Sequence, residues 1–279
     1  MALREPLPWT ELAELVRAAE DAGYEAAFVP EVGHRDPFAM LAGFAGATER
    51  LTLATGVASM EWRAPQAMAL AAATVHELSG GRHLLGLGAG HRDLATFRRY
   101  AAEVRTALGS ASIIDGPMPV WFAALGDRAV EAAARDADGV LLNWCTLERV
   151  AAAAEIVRSV REPGRPFEIG VYLRCCLTGA ADEAPLEALR EVTSVYAAMP
   201  HYRRQFEAMG LAGELDPVSD RAVDAVCVRG DRDAFLVRAQ DLAEAGAGVI
   251  VVYPVPVHEA ASSMLGTILA AAPSPALGG

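Results

Sequence analysis

Two hydrophobic periods alternate along this chain with short breaks between them. Apolar residues every three or four positions, as in residues 9–22 with Leu12, Leu15 and Val16 on one side, predict amphipathic helices. Short apolar runs bounded by glycine or proline predict buried strands. Helices and strands in alternation are typical of an α/β fold with a parallel sheet. The predicted strands are residues 25–30, 51–57, 83–88, 119–124, 139–144, 167–177 and 248–254.

Helical segments fill the intervals between these strands. Asp36 and Pro37 are typical of a helix start, the first as N-cap and the second in the first turn. Residues 182–246 are helical in pattern and longer than one crossover needs, so we expect extra helices before the last strand. The other predicted helices are residues 9–22, 65–78, 93–108, 127–136, 147–161 and 258–271.

The pattern gives seven clear strands, whereas a (β/α)₈ TIM barrel has eight. The missing strand is the first, and residues 2–5 are a candidate stub for it. Two alternatives are a start codon set too far downstream and a barrel edge covered by a partner. An open doubly wound sheet is the structural rival, because periodicity alone does not separate it from a barrel.

Composition favours a globular enzyme-sized unit. Hydrophobic residues make up 53% of the 279 residues and charged residues 22%, which is enough to bury a large core. Barrels of about 250 residues commonly form one domain, so we expect a single domain over residues 1–279. The chain has no apolar run of membrane-spanning length, and its start lacks the plan of a signal peptide. The predicted location is the cytoplasm.

The charged residues exclude several classes of function. The formal charge of −12 argues against a nucleic-acid partner. All 24 basic residues are arginine, and an enzyme without lysine has no amine for a Schiff base or for pyridoxal phosphate. A P-loop nucleotide site is excluded for the same reason.

The four cysteines do not suggest a metal or disulfide framework. Cys145, Cys175, Cys176 and Cys227 lack C-x-x-C spacing, and no histidine pair has zinc-ligand spacing. Cys175 and Cys176 are adjacent in a predicted strand and should point to opposite faces. We expect four buried thiols and no metal site.

The ends of the predicted strands are rich in glycine and other small residues, which suits a large planar cofactor at the catalytic end of a barrel. The predicted strand 119–124 ends at Ala124, and Leu125 and Gly126 lead into the next predicted helix. The free amides at the start of that helix favour a phosphate. Asn143 ends the next strand, and the Thr146 hydroxyl follows it.

Three stretches resemble the luciferase-like monooxygenase superfamily, especially its branch that uses the deazaflavin coenzyme F420. They are residues 48–90, containing LSGGRHLLGLGAG, residues 119–144, PVWFAALGDRAVEAAARDADGVLLNW, and AEAGAGVIVVYPV near the end. Similar order and spacing extend over about residues 10–260. The chain departs from the family at its first strand and at Ala64, where a histidine is common.

The resemblance implies a cofactor site at the ends of two strands. Gly56, Val57 and Ala58 correspond to a bulge, often with a non-proline cis peptide, that supports the central ring of the cofactor. Gly88, Ala89 and Gly90 correspond to a contact with the ring or phosphate; alone, their G-x-G-x-G pattern is a weak nucleotide fingerprint.

Four further residues are candidates for chemistry and for the substrate pocket. Glu31 and His34 follow a strand in VPEVGHRD and suit general acid–base work, with an ion pair between Glu31 and Arg35 as the structural alternative. Trp62 and Trp144 are candidate pocket walls, and packing is nearly as good an interpretation.

The resemblance predicts an oxidoreductase that transfers a hydride between coenzyme F420 and a small organic substrate. The alternatives are an FMN-dependent monooxygenase supplied by a separate flavin reductase, and a non-catalytic flavin-binding or partner protein of the same fold. The resemblance also implies a homodimer.

Overall fold

The computed structural model describes residues 1–3, 6–33, 35–111, 116, 118–162, 164–178, 183–257 and 259–273. Within these residues the chain forms an α/β fold whose paired strands are all parallel. The strands are β1 (Ala26–Val29), β2 (Thr52–Thr55), β3 (Ala58–Ser59), β4 (His83–Gly88), β5 (Val120–Ala124), β6 (Gly139–Leu142), β7 (Glu168–Cys176), β8 (Cys227–Arg229) and β9 (Val249–Pro254).

Helices separate the strands much as the apolar period predicts. The helices are α1 (Trp9–Asp21), α2 (Pro37–Ala45), α3 (Pro65–Leu78), α4 (Leu94–Gly109), α5 (Asp127–Asp136), α6 (Leu147–Val160), α7 (Ala184–Ala197), α8 (Pro200–Phe206), α9 (Asp220–Val226), α10 (Arg232–Glu244) and α11 (Ala260–Ala270). A π-helical turn (Glu207–Leu211) and a 3₁₀ turn (Ala212–Glu214) follow α8. The extra helices expected before the last strand are present.

The strands follow the order β1-β2-β4-β5-β6-β7, and β9 pairs with β7. The segment 1–3 lies between the two outer strands of this series. Ala2 forms a parallel bridge with Phe28 of β1, and its amide donates to the carbonyl of Val252 in β9 at 2.7 Å. The Leu3 amide donates to the Phe28 carbonyl at 3.0 Å. Of the candidate stub at residues 2–5, residues 4 and 5 lie outside the described residues.

Two local predictions need correction. Residues 51–57 do not form one strand, since pairing stops after Thr55 and resumes at Ala58 around a bulge. Residues 182–246 are not wholly helical, because β8 lies within them. This short strand pairs with the carboxyl end of β7, matching Cys227 to Arg174. A strand of three residues is too brief for a period to identify.

Apolar residues pack on both sides of the sheet. The largest buried cluster fills the space between strands and helices. A second cluster lies on the other face and includes Phe28, Trp121 and Tyr172, whose rings are neighbours. A third joins α7, α8 and α9 to the end of β7. The inward and outward faces of β7 thus alternate, which explains why Cys175 and Cys176 enter different clusters, as predicted.

The four cysteines are free and buried. Across the described part of the chain, no group of three or more histidine, cysteine or acidic side chains is arranged to hold a metal ion. The helices in that part are too short or too polar to cross a bilayer.

Candidate functional site

A bulge between β2 and β3 is formed by Gly56 and Val57, and the peptide bond that joins them is cis. The Gly56 amide donates to the carbonyl of Val29 at 2.9 Å. The Tyr172 hydroxyl extends from β7 and donates to the Gly56 carbonyl at 2.6 Å. The Val57 side chain packs against the second cluster, beside Phe28 and Tyr172. The chain therefore has a bulge where the resemblance implies one, and its backbone is held from both sides.

Glycine is required beside this bulge because no room exists for a larger side chain. A Cβ at Gly56 would lie 2.0 Å from the Tyr172 hydroxyl oxygen. A Cβ at Gly88, at the end of β4, would lie 2.6 Å from a methyl group of Val57. Backbone and small side chains thus form the surface around Val57, and a planar ring system can approach such a surface closely.

The loop after β4 is tied to the loop after β3. Gly90 has a φ of 59°, and a Cβ there would lie 2.1 Å from a carboxylate oxygen of Glu61. The same oxygen accepts the amide of His91 at 3.1 Å. Ala58 and Ala89 direct their side chains towards the helices, so they offer only backbone to the site.

Glu31 lies beside the bulge, but its carboxylate is already occupied. The side chain is fully buried and forms an ion pair with Arg63. It also accepts the amide of Ser59 at 2.8 Å, and the Glu31 amide donates to the Val57 carbonyl at 3.3 Å. The salt-bridge partner is thus Arg63, not Arg35, whose guanidinium donates to the carbonyl of Leu7 at 2.6 Å.

Arg63 joins two acidic side chains. Besides Glu31 it pairs with Asp36, the N-cap of α2, whose carboxylate accepts the amide of Ala39 at 2.9 Å. Partial burial raises the pKa of Asp36, but the amide of Ala39 and the guanidinium outweigh this and hold the pKa below its ordinary value. His34, the other predicted acid–base residue, lies outside the described residues.

A cavity of about 700 Å³ opens where α5 and α6 begin. Leu125 and Gly126 line it at the start of α5, and Gly126 supplies no side chain to cap the helix. Thr146 lines it at the start of α6 and accepts the amide of Arg149 at 3.3 Å. Two helix amino-termini therefore face one cavity, an arrangement that favours an anion. Three predicted residues meet here.

Arg149 adds a positive charge to the wall of this cavity. Its Nη1 donates to Asp127 at 2.5 Å. Its Nη2 is buried and has no hydrogen-bond partner among the described residues. A buried donor without a partner is costly. The donor set at this end of the sheet therefore fits a phosphate group.

Helix α8 covers the end of β6. Gln205 donates to the carbonyls of Asn143 and Trp144, both at 2.8 Å, and Asn143 donates to the Tyr202 hydroxyl at 2.8 Å. The Asn143 side chain is thus held by α8 and does not line the phosphate cavity. Burial, with a smaller effect of His91 and Arg204, lowers the pKa of His201 on the same helix.

The remaining predictions fall in different places. Ala124 packs against the helices, so only its backbone faces the site. Trp62 is half exposed and its ring lies 3.8 Å from the position of a Cβ on Gly33, in the loop that follows Glu31. Trp144 is fully buried and packs against Tyr196. Its ring is a component of the third cluster and offers no open wall in this structure.

Sequence reasoning missed Arg63, Arg149, Tyr172, Arg174 and Gln205. Each of them acts through a partner far along the chain, which no local pattern reveals. No signal in the sequence connects Tyr172 to Gly56, 116 residues away. The even spacing of Tyr172 and Arg174 on β7 is the one sign that both face the same side of the sheet.

A family model described as luciferase-like monooxygenase matches residues 1–109 and 95–248. The chain belongs to the luciferase-like monooxygenase family. This confirms the resemblance stated from the sequence and makes the chain a member of a family of enzymes.

Two sequence relatives have names that refer to redox enzymes. A Mycobacterium tuberculosis protein provisionally named a coenzyme F420-dependent oxidoreductase is 49% identical over 76 residues, which cover 27% of this chain and 22% of that protein. The 5,10-methylenetetrahydromethanopterin reductase of Methanolobus tindarius is 24% identical over 260 residues, covering 82% of this chain and 78% of the reductase.

Solved structures of an F420-dependent dehydrogenase and of a monooxygenase in complex with FMN share the fold. An F420-dependent secondary alcohol dehydrogenase, in complex with an F420-acetone adduct, superposes with a TM-score of 0.74 at 14% identity, covering 96% of this chain and 98% of that one. The oxygenating constituent of 3,6-diketocamphane monooxygenase from Pseudomonas putida, in complex with FMN, gives 0.65 at 14% identity, covering 95% and 91%. At these identities the likeness establishes the fold alone.

Proposed function

We propose that this chain is an oxidoreductase that transfers a hydride between coenzyme F420 and a small organic substrate. The observation that carries the proposal is the pairing of two features at one end of the sheet. One is the side-chain-poor surface around Gly56, Val57 and Gly88, and the other is the cavity at the starts of α5 and α6. A planar ring and a phosphate tail would use both.

The bound cofactor supplies the hydride chemistry, and the chain's residues bind and orient it. In this proposal Gly88 leaves room for the ring against Val57, while Tyr172 holds the bulge from below. The amides of Leu125 and Gly126, with Thr146 and Arg149, hold the phosphate. The α8 helix lies over the end of β6 and reduces the access of water.

Glu31 and His34 have different parts in this proposal. Glu31 is enclosed and paired with Arg63, so we assign it the positioning of residues 57–63 and not proton transfer. His34 remains our candidate for proton transfer at the substrate. Trp62, half exposed beside the same loop, remains a candidate wall of the substrate pocket.

We further propose that the sheet closes as a (β/α)₈ barrel of one domain. The support is the position of residues 1–3, which hydrogen-bond to β1 on one side and β9 on the other. In that arrangement residues 1–3 are the short first strand and β8 is an addition outside the barrel. A homodimer in the cytoplasm is our working expectation from the family.

The first experiment titrates the purified protein with F420 and, in parallel, with FMN, following fluorescence quenching. We expect tight binding of F420 and much weaker binding of FMN. The reverse preference would favour the FMN-dependent monooxygenase, with a separate flavin reductase as partner. If neither compound binds, the chain is better described as a non-catalytic protein of the same fold.

A pair of variants tests the phosphate cavity separately. Arg149→Met should weaken F420 binding about tenfold, because it removes one charge-assisted hydrogen bond worth about 1.5–3 kcal/mol. The same variant should leave binding of the deazaflavin chromophore without its phosphate unchanged. Arg158→Met, which removes an exposed pair with Glu155, is the matched control. Equal losses for both ligands would place the phosphate elsewhere.

A further inference from the structure

Arg174 is a buried cation at the end of β7. Only 2% of its surface is exposed. Its guanidinium carbon lies 3.7 Å from the centre of the Trp144 ring, 4.8 Å from that of Tyr253 and 5.0 Å from that of Tyr196. Aromatic faces stabilise a cation, but they do not neutralise it.

No carboxylate balances this charge among the residues that the structure describes. The one hydrogen bond of the guanidinium runs from Nη1 to the side-chain oxygen of Asn143 at 2.6 Å. Arg63 and Arg149, by contrast, each face an acidic side chain. Arg82 and Arg161 lack one too, but several backbone carbonyls accept from them. The groups that feel the charge of Arg174 include Tyr172, Tyr202 and Cys145, and burial raises the pKa of each, so they stay neutral.

The guanidinium still has donors to offer. Arginine carries five N–H groups in a planar fork, and only one of them is used here. The nitrogens without a partner are not among the fully enclosed unsatisfied atoms of the described chain. The small exposed part of Arg174 therefore includes guanidinium nitrogens that have no partner in the described chain.

Its place in the sheet brings this guanidinium close to the candidate site. Arg174 is two residues beyond Tyr172 on β7, so both side chains lie on the same face. Tyr172 holds the carbonyl of Gly56 in the bulge, and Arg174 lies one step nearer the carboxyl end of the strand, level with Tyr253 of β9. In parallel sheets that end carries the ligand.

The orientation of the cation is fixed from its far side. Asn143 accepts from Arg174 and donates to the Tyr202 hydroxyl, which comes from α8. A guanidinium held in this way presents its free edge in one direction, and that edge matches the two oxygens of a carboxylate.

We propose that Arg174 binds the carboxylate of an acidic organic substrate. This inference rests on the proposed oxidoreductase and names its substrate class. Asn143 and Tyr202 are positioning residues in this assignment, since they act through Arg174. The burial of the cation excludes competing water and so strengthens the contact with an anion.

The test uses acetate and acetamide, which have the same shape and differ in charge. Binding to the full-length protein is followed by saturation-transfer NMR of the methyl signals, with no cofactor present. We expect acetate to bind about tenfold more tightly than acetamide, because a charge-assisted hydrogen bond is about twice as strong as a neutral one. Arg174→Gln should abolish this preference, and Arg174→Lys should retain part of it.

Arg105→Gln is the matched control, because Arg105 is partly buried but already paired with Asp138. It should leave the preference for acetate unchanged. Circular dichroism of each variant verifies that it is folded, and the lysine variant tests the assignment if the glutamine variant does not fold.

Three results would overturn the assignment. They are equal or absent binding of acetate and acetamide to the wild-type protein, an unchanged preference in Arg174→Gln, and a loss of F420 affinity in that variant as large as the loss for acetate. The third would show that the cation serves the cofactor. Acetate is titrated in the absence of F420, so its result does not depend on whether the protein binds F420. The two proposals can therefore fail independently.

Discussion

Two buried charges near the candidate site differ in how they are balanced. Glu31 is fully enclosed and has Arg63 as a direct partner, with the amide of Ser59 as a second. Arg174 is equally buried, yet its neighbours are three aromatic rings and one amide. The contrast separates a buried charge with a structural role from a buried charge that a ligand can balance. The first charge locks a loop, and the second is available to an anion.

His83 shows a third solution, in which the group avoids charge altogether. It begins β4, is 1% exposed, and hydrogen-bonds through Nδ1 to the carbonyl of Leu53 at 2.6 Å. Burial lowers the pKa of His83 to about 4, with a smaller contribution from His76. The ring is therefore neutral at pH 7 and acts as a polar component of the core.

The largest expected effect comes from breaking the balanced pair. Arg63→Met should lower the free energy of unfolding by about 3–5 kcal/mol, because it leaves the Glu31 carboxylate buried without its partner. Urea denaturation measures this. Arg98→Met, which removes an exposed pair with Asp136, should cost less than about 1 kcal/mol.

A double variant sharpens that result. Glu31→Gln with Arg63→Met removes both charges, so it should recover a large part of the stability that Arg63→Met loses. If the single and double variants are equally unstable, the packing of Arg63 against Phe38 matters more than its charge, and the account of the pair is wrong.

The next largest effect is expected at acid pH, where protonation of His83 should lower the free energy of unfolding. The pKa of His83 is about 4 in the folded chain and near 6.5 when unfolded, so the unfolded state binds the proton more readily. Its contribution is fully present above pH 6.5 and is lost as the pH falls towards 4, by roughly 3 kcal/mol at most. His83→Gln should flatten the stability curve in this window.

The sequence predicted the strands and helices more completely than it predicted the contacts of the candidate site. Strands such as 83–88 and 139–144 were placed within two residues at each end because a buried run between glycines has a clear period. The bulge at Gly56 and Val57 was located by family resemblance. The strand Cys227–Arg229 was missed because three residues are too few to show a period. Its strand conformation depends on pairing with β7, which the local sequence does not reveal.

The sequence pattern did not predict which charged side chains pair with each other. Glu31 was given Arg35 as a neighbour in sequence, whereas its partner Arg63 is 32 residues away. Arg174 was read as one residue of a strand, since FEIGVYLRCCL has no feature that marks a missing carboxylate. Whether a buried charge is balanced depends on which strands and helices meet, so the sequence predicts the position of Arg174 but not its state.

The smallest expected change in stability tests the other half of the comparison. Arg174→Met keeps much of the side-chain volume and removes a buried charge that has no ionic partner. Replacing a buried ion pair by apolar groups is often neutral or stabilising, and here the variant leaves no charged partner behind. We therefore expect the free energy of unfolding to fall by less than about 1 kcal/mol, or to rise, in the same urea experiment that gives a large loss for Arg63→Met. A loss as large as that of Arg63→Met would show that Arg174 has a structural partner, and the contrast between the two buried charges would disappear.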